Sequence, residues 1–485
     1  MALALPAFLC LAPAFLLVCL SWPRRSPIFS DLLLKLFLSF GFGLGIFSVV
    51  FFLSLLLHIT RLVLLDLGVL ALFLVSLLLF RTRSSHAVET TTNTTEPASW
   101  FHRLLAVAFA IALGAALYAA VMRTLAYPNG DGWDAFSIWN LHARFLFLGG
   151  LHWRDGFSPL IPWSHPDYPV LLPAAIAHFW AYFGHDTPTI PCVIGLALTF
   201  STVGLLFSAL SILRGRTAAL LGAIVLLTTP SFIQLGTSQY ADEPLSFFML
   251  ATVGLLCLHD NRAQQDRSND SFGLLALAGL AIGFAAWTKN EGLLFLCAIL
   301  MARFVVLARR EHRPRISGES GGARFSRLAP VLLAAAPVLL LVIYFKHAIA
   351  PPGDLFSDLA TIVHKLLSPP RYWAVIKWYV KEFFRFGRWL LIPVPVLMLG
   401  YYFALGEAKS VPHSFSFRVC RLALALALAG YFAIYIITPY DIYWHLRFSL
   451  DRLFLQLWPS TIFLFFLSVP LPEKGRGSAT PAGGS

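Results

Sequence analysis

Between Tyr127 and Pro173 the chain reads YPNGDGWDAFSIWNLHARFLFLGGLHWRDGFSPLIPWSHPDYPVLLP, its longest polar and aromatic run between hydrophobic stretches. Asp131 and Asp134 stand three apart, so a helix starting near Asp131 would carry both on one side. Asp131 equally suits an N-cap, with Asp134 in the first turn. A carboxylate at a dry interface, as Asp134 would be beside Trp133, suits a general base acting on an acceptor hydroxyl or amine. The stripe Phe136, Trp139, Phe145 reads as an anchor at a membrane interface. Further on comes His165-Pro166-Asp167-Tyr168-Pro169, held extended by its two X-Pro steps. His165 and Asp167 either orient a substrate, ligate a metal or make a surface turn.

Three later clusters could join this loop. In SQYADEPLSFF, Asp242 and Glu243 precede Pro244, a pattern that favours a helix N-terminus. Acids at the edge of an apolar span also tend to be functional. In AAWTKNEGLLF, Lys289 and Glu291 sit in a tight turn between apolar runs, where a lysine could grip a lipid phosphate as a point charge. In TPYDIYWHLRFSLDRLFLQLWP, Arg447 and Arg452 suit a phosphate or pyrophosphate, with His445 as a hydrogen-bond partner. A divalent metal on Asp134, His165 and Asp242 is conceivable, but no ligand spacing demands one, and no cofactor is expected.

The elements that must position these residues are membrane helices. The chain has 485 residues, 58% hydrophobic and 12% charged, against about 25% charged in a soluble domain. Continuous apolar runs exclude a β-barrel, so the fold class is all-α and polytopic, with about thirteen spans. They are expected near 2–21, 33–57, 62–80, 101–122, 190–212, 217–236, 243–258, 272–288, 292–308, 328–346, 388–406, 419–438 and 453–470. The organisation is an N-terminal part (1–100) ending in a polar linker, a core (101–308) with loop 123–189, and a C-terminal part (309–470) with loop 347–387. A tail (471–485) is expected to be disordered.

The net charge of +12 does not point to nucleic acid, because the basic residues lie mainly in short loops between spans. The six cysteines lie in apolar stretches without CxxC spacing and read as helix packing. Positive charges follow the first apolar run rather than precede it, so that run reads as a retained helix with its N-terminus outside. The positive-inside pattern then holds along the chain provided that 169–184 does not cross. That segment reads as an interfacial helix, and the termini lie outside (N) and in the cytoplasm (C). The unexplained polar residues then gather near the outer boundary as one composite site. Loop 347–387 is amphipathic and suits the outer leaflet, bordering a groove for a lipid carrier.

In order and spacing these motifs resemble the GT-C superfamily of membrane glycosyltransferases, above all protein O-mannosyltransferases and the aminoarabinose transferases of lipid A. The resemblance rests on GDGWDAF, His165-Pro166-Asp167-Tyr168-Pro169, YADEPL and Thr288-Lys289-Asn290-Glu291-Gly292, all within about 125–300. It implies a bacterial plasma-membrane enzyme that moves a sugar from a polyprenyl-phosphate donor to a lipid, glycan or protein acceptor on the periplasmic face. It also implies roles. Asp134, or Asp131, is the base. His165, Asp167, Tyr168, Asp242 and Glu243 contact the substrate or acceptor. Lys289, Glu291, His445, Arg447 and Arg452 meet the lipid phosphate. It implies direct displacement with inversion; a retaining double displacement would need a second carboxylate as nucleophile, for which Asp242 is the one candidate. The chain departs from the family in its extra N-terminal helices and in Asp-Gly-Trp-Asp where an Asp-Glu pair is usual, and the soluble C-terminal domain of some members is not expected here. Competing functions are a transporter or flippase of a lipid-linked sugar, which would place charges mid-span, and an O-antigen ligase or polymerase.

Overall fold

The computed structural model describes residues 3–23, 29–81, 100–265, 272–311, 328–356, 359–389, 392–408 and 414–471. The polar linker and the tail fall outside these residues. Among them the chain is helical throughout, with no strand. In chain order the first helices are α1 (Ala4–Ser21), α2 (Phe29–Leu56), α3 (Leu62–Arg81) and α4 (Trp100–Ala126). Then come α5 (Asn140–Leu148), α6 (Leu171–Phe183), α7 (Thr189–Arg214), α8 (Arg216–Leu227) and α9 (Pro230–Gly236). The remainder are α10 (Asp242–Gln265), α11 (Phe272–Thr288), α12 (Asn290–Glu311), α13 (Ala329–Ala348), α14 (Leu359–Leu366), α15 (Pro369–Arg385), α16 (Val394–Leu405), α17 (Phe415–Ile437) and α18 (Ile442–Ser468).

Each expected span falls on a helix, or for 217–236 on two, but not each is a crossing by length and composition. Among the described residues nine helices are long and apolar enough, and the pair α8–α9, bent by 69° where Pro230 opens the second helix, makes a tenth. Of the other three, α11 and α16 are shorter, and α10 opens on Asp242 and Glu243 and ends in a polar turn. By this measure ten of the thirteen expected stretches pass as spans among the described residues. The protein is a polytopic helical membrane protein. Its α3 and α4 leave Leu64, Leu72, Leu79, Leu104, Ile111 and Leu125 exposed, as helices that face lipid must.

The core forms around α10, which packs on α7, α11 and α18. Phe247, Phe248, Met249 and Leu250 of α10 are fully buried. The glycines of α2 let this centre close: a Cβ on Gly41 would overlap the Phe247 ring, and one on Gly45 the Phe284 ring. Small residues at helix crossings substitute for the hydrophobic drive that lipid does not provide. Two polar clusters staple helices far apart in sequence. Arg262 of α10 binds both oxygens of Asp31 on α2, at 2.9 and 3.1 Å. Asp66 of α3 accepts from Tyr182 and lies 3.0 Å from His178 Nε2, both on α6.

Helix α6 is 13 residues long, about 20 Å at 1.5 Å per residue and too short for a hydrocarbon core of roughly 30 Å. Every residue from Leu171 to Trp180 is buried, covered by α2 and α5. By contrast α14 has no buried residue and α15 only Ala374 and Val375. This pair is held by its cations: Arg371 donates to the carbonyls of Tyr435 and Ile436, and Lys365 to that of Thr438, at the open end of α17.

Candidate active site

Asp242 is the centre of the site. It is fully buried at the start of α10, and its carboxylate accepts four hydrogen bonds. Oδ1 takes Lys289 Nζ at 3.0 Å and Gln456 Nε2 at 2.6 Å. Oδ2 takes Arg452 Nε and Nη2 at 3.1 and 2.8 Å. Lys289 lies in the break between α11 and α12 and also meets Glu291 at 2.8 Å. Arg452 and Gln456 stand one turn apart on α18, hence on one face. Arg452 uses its third nitrogen, Nη1, on Asp134 Oδ2 at 2.7 Å. Two cations and three carboxylates thus close one network whose buried charges are all paired, the condition under which such burial is tolerated.

Asp134 reaches Arg452 because of its local backbone. Gly130 and Gly132 have φ of +90° and +119° and make a turn that glycine adopts freely. A short helical turn then starts, and Ala135–Trp139 is π-helical: the Asn140 N–H donates to the Ala135 carbonyl five residues back. Tyr240, packed over Gly132, presents its ring to Arg452 at 4.7 Å. Burial, then the Asp134 carboxylate, push its phenol up to about 12, so it stays neutral. For Lys289, burial works against the charge, but Asp242 and Glu291 outweigh it and hold the ammonium above its ordinary value.

A second tier lies beside this cluster. Tyr168 faces Lys289, with the ammonium 5.6 Å from its ring centroid, and stacks on Trp139 and on His165. Burial, then Glu291 and Asp167, raise its phenol further. Asp167 accepts from Asn290 at 2.7 Å and from Lys346 at 3.3 Å, and Lys346 also binds the Asn290 side chain. His165 sits in the left-handed region, at φ 49°.

The remaining residues named from sequence do not join the network. Asp131 lies in the bend before the helix and pairs with Arg123 of α4, so Asp131 and Asp134 do not share a helical side. Glu243 is turned about 100° from Asp242 and accepts from Thr202 of α7 at 2.5 Å inside the α7–α10 contact. His445 Nδ1 lies 2.8 Å from the Thr438 hydroxyl. Arg447 lies five residues from Arg452 on α18, so it points elsewhere, into a separate cavity with α15. The single composite site expected from sequence is therefore a buried network with satellites. The network's Gln456 and Tyr240, and Asn290 and Lys346 beside it, were missed. A glutamine one turn after Arg452 in an apolar run was the available signal.

Asp242 has both oxygens taken by cations and an amide, and Asp134 faces Arg452. Among the described residues no three His, Cys, Asp or Glu side chains converge.

Fold and site together define an all-helical polytopic membrane protein with a buried acid–base network where its first long loop meets its last helix. Within that class, residues 172–348, which run from α6 to the end of α13, match the family model of dolichyl-phosphate-mannose-protein mannosyltransferases. Asp242, Lys289, Glu291 and Lys346 lie inside the matched segment, Asp134 and Arg452 outside it. No curated protein and no solved structure matches the chain.

Proposed function

We propose that the protein is an integral-membrane glycosyltransferase that moves a sugar from a polyprenyl-phosphate donor to a lipid, glycan or protein acceptor. The face carrying Asp134 is the outer one, with the N-terminus outside, and the membrane is the bacterial plasma membrane. Asp134 is the general base. It deprotonates the acceptor, which attacks the anomeric carbon directly as the lipid phosphate leaves, with inversion. Lys289 and Arg452 act chiefly by holding Asp242 and Asp134, since each already binds two carboxylates. Tyr168, His165 and Asp167 border the space an acceptor would fill.

The observation that carries this reading is the bridge Asp134–Arg452–Asp242. It links the loop acid to the segment that resembles a mannosyltransferase family. The two acids differ in access: the Asp134 side chain is 22% exposed and that of Asp242 0%. Only the former can meet a substrate without dismantling the network.

The test is transfer in proteoliposomes supplied with polyprenyl-phosphate sugars and cell-envelope acceptors. Asp134→Asn should lose about 10²- to 10⁴-fold in rate, the usual range for a general base, with unchanged donor binding and thermal midpoint. Asp131→Asn should keep most of the activity. Full activity in Asp134→Asn would sink the assignment. Movement of a lipid-linked sugar without any glycosylated product would point instead to a transporter.

A further inference from the structure

Residues 237–241 link α9 to α10. At their middle Gln239 has a φ of +62°, in the left-handed region that few residues other than glycine enter without compensating contacts. Its side chain is buried and supplies those contacts. Oε1 accepts from Asn140 Nδ2 at 2.7 Å. Nε2 donates to the Pro128 carbonyl at 3.0 Å and to Cys192 Sγ at 3.2 Å. Cys192, near the start of α7, donates in turn to the same Pro128 carbonyl at 3.2 Å. Both N–H groups of the amide and its oxygen are thus engaged.

These contacts fall at the two ends of one segment. Pro128 precedes the glycine turn, Asn140 follows the π-helical turn, and Asp134 lies between them. Asn140 is also the residue whose N–H closes the π-helical turn on Ala135. One buried amide therefore ties both feet of the loop that carries Asp134. The backbone adds to the fit: a Cβ on Gly130 would lie 3.0 Å from the Ser238 carbonyl oxygen and 3.5 Å from Gln239 Cδ, so the loop rests directly on the linker. The same linker reaches the other side of the network. Tyr240 turns its ring to Arg452, and Asp242 takes two of that arginine's nitrogens. The acid and the arginine it meets at 2.7 Å are thus registered against one short stretch of chain.

We infer that Gln239 is a positioning residue: it clamps the loop at Pro128 and Asn140 and so fixes where Asp134 stands against Arg452. Its effect on transfer rests on the reading of Asp134 as the base, whereas the clamp itself does not. Misplacing a reacting group by about 1 Å costs about 10²-fold in rate, so a side chain that meets no substrate still sets the speed of the reaction.

The experiment uses full-length Gln239→Gly, in which glycine suits the left-handed backbone while the clamp is lost. Gln239→Asn, which also tolerates that backbone but is one methylene too short to reach both partners, is the second variant. Hydrogen–deuterium exchange in detergent should rise about tenfold for peptides within 128–140 and stay unchanged in α10 and α18. In the proteoliposome transfer assay kcat should fall about 10- to 100-fold, with the donor's KM unchanged. In the Asp134→Asn background the same substitution should bring no further loss, because both changes act through one carboxylate. A residue that only stabilised the fold would lower the rate in both backgrounds alike. Raised exchange confined to 128–140, together with rate losses that do not multiply, supports the clamp in both variants. Unchanged exchange, parental kcat or losses that multiply overturns it. Full activity in Asp134→Asn is a separate result: it removes the base assignment, and exchange across 128–140 then decides the clamp by itself.

Discussion

Asp242→Asn is the sharpest probe of the buried network. Asparagine keeps the shape but presents one oxygen where the carboxylate presents two. Whichever way the amide turns, its NH₂ meets donors: Lys289 and Gln456 on one side, or two nitrogens of Arg452 on the other. Two hydrogen bonds go, and their buried donors stay unmet at about 1–3 kcal/mol each. The expected loss of stability is therefore about 3–5 kcal/mol, the range for breaking a buried ion pair from one side. Lys289→Met alone strands Glu291 and takes one of the four hydrogen bonds from Asp242, and should destabilise similarly. Combined, the two substitutions should cost less than their sum by about 1–3 kcal/mol, because each removes what the other leaves unpaired. Reversible unfolding by SDS titration in mixed micelles measures all the terms. Additivity within about 0.5 kcal/mol would refute the direct pairing.

Three further outcomes are expected. Gly132→Ala puts a Cβ 2.3 Å from the Tyr240 hydroxyl at φ +119°; it should lower stability by about 1–3 kcal/mol and reduce transfer, read by thermal midpoint and rate. His142 is buried on α5, and burial, then His165, lower its pKa to about 3. The folded state binds its proton later than the unfolded chain, so stability present above pH 6.5 is lost as pH falls toward 3, by up to about 1.4 kcal/mol per pH unit. His142→Gln should flatten the unfolding free energy in that window; an unchanged slope refutes the cause. Asp66→Ala strands His178 and Tyr182 at the α3–α6 contact. It should destabilise by about 3–5 kcal/mol, while a surface substitution such as Arg154→Ala should leave the midpoint unchanged.

The helices were legible because apolar runs and the proline and glycine breaks between them are local signals. So was the shortness of α6. The pairings across the fold were not. Asp31 with Arg262 and Asp66 with His178 join helices more than a hundred residues apart, and nothing local marks the partner. Adjacent Asp242 and Glu243 looked like one acidic pair, yet a helix sends neighbours about 100° apart, one to the network and one to Thr202. The same arithmetic could have separated Arg447 from Arg452. Asp131 and Asp134 could not have been separated in this way, because a three-residue spacing means one face only if the helix is regular, and here it starts late.

The π-helical turn Ala135–Trp139 has a consequence for how this loop can change. It carries one residue more than an α-helical turn would hold, so removing any one of the five would let the backbone relax into the commoner form. Asp134 would then swing by about 100° relative to α5, away from Arg452. The most regular version of this segment would not bring Asp134 to Arg452. Shortening it by one residue would separate Asp134 from Arg452 while leaving α5 in place.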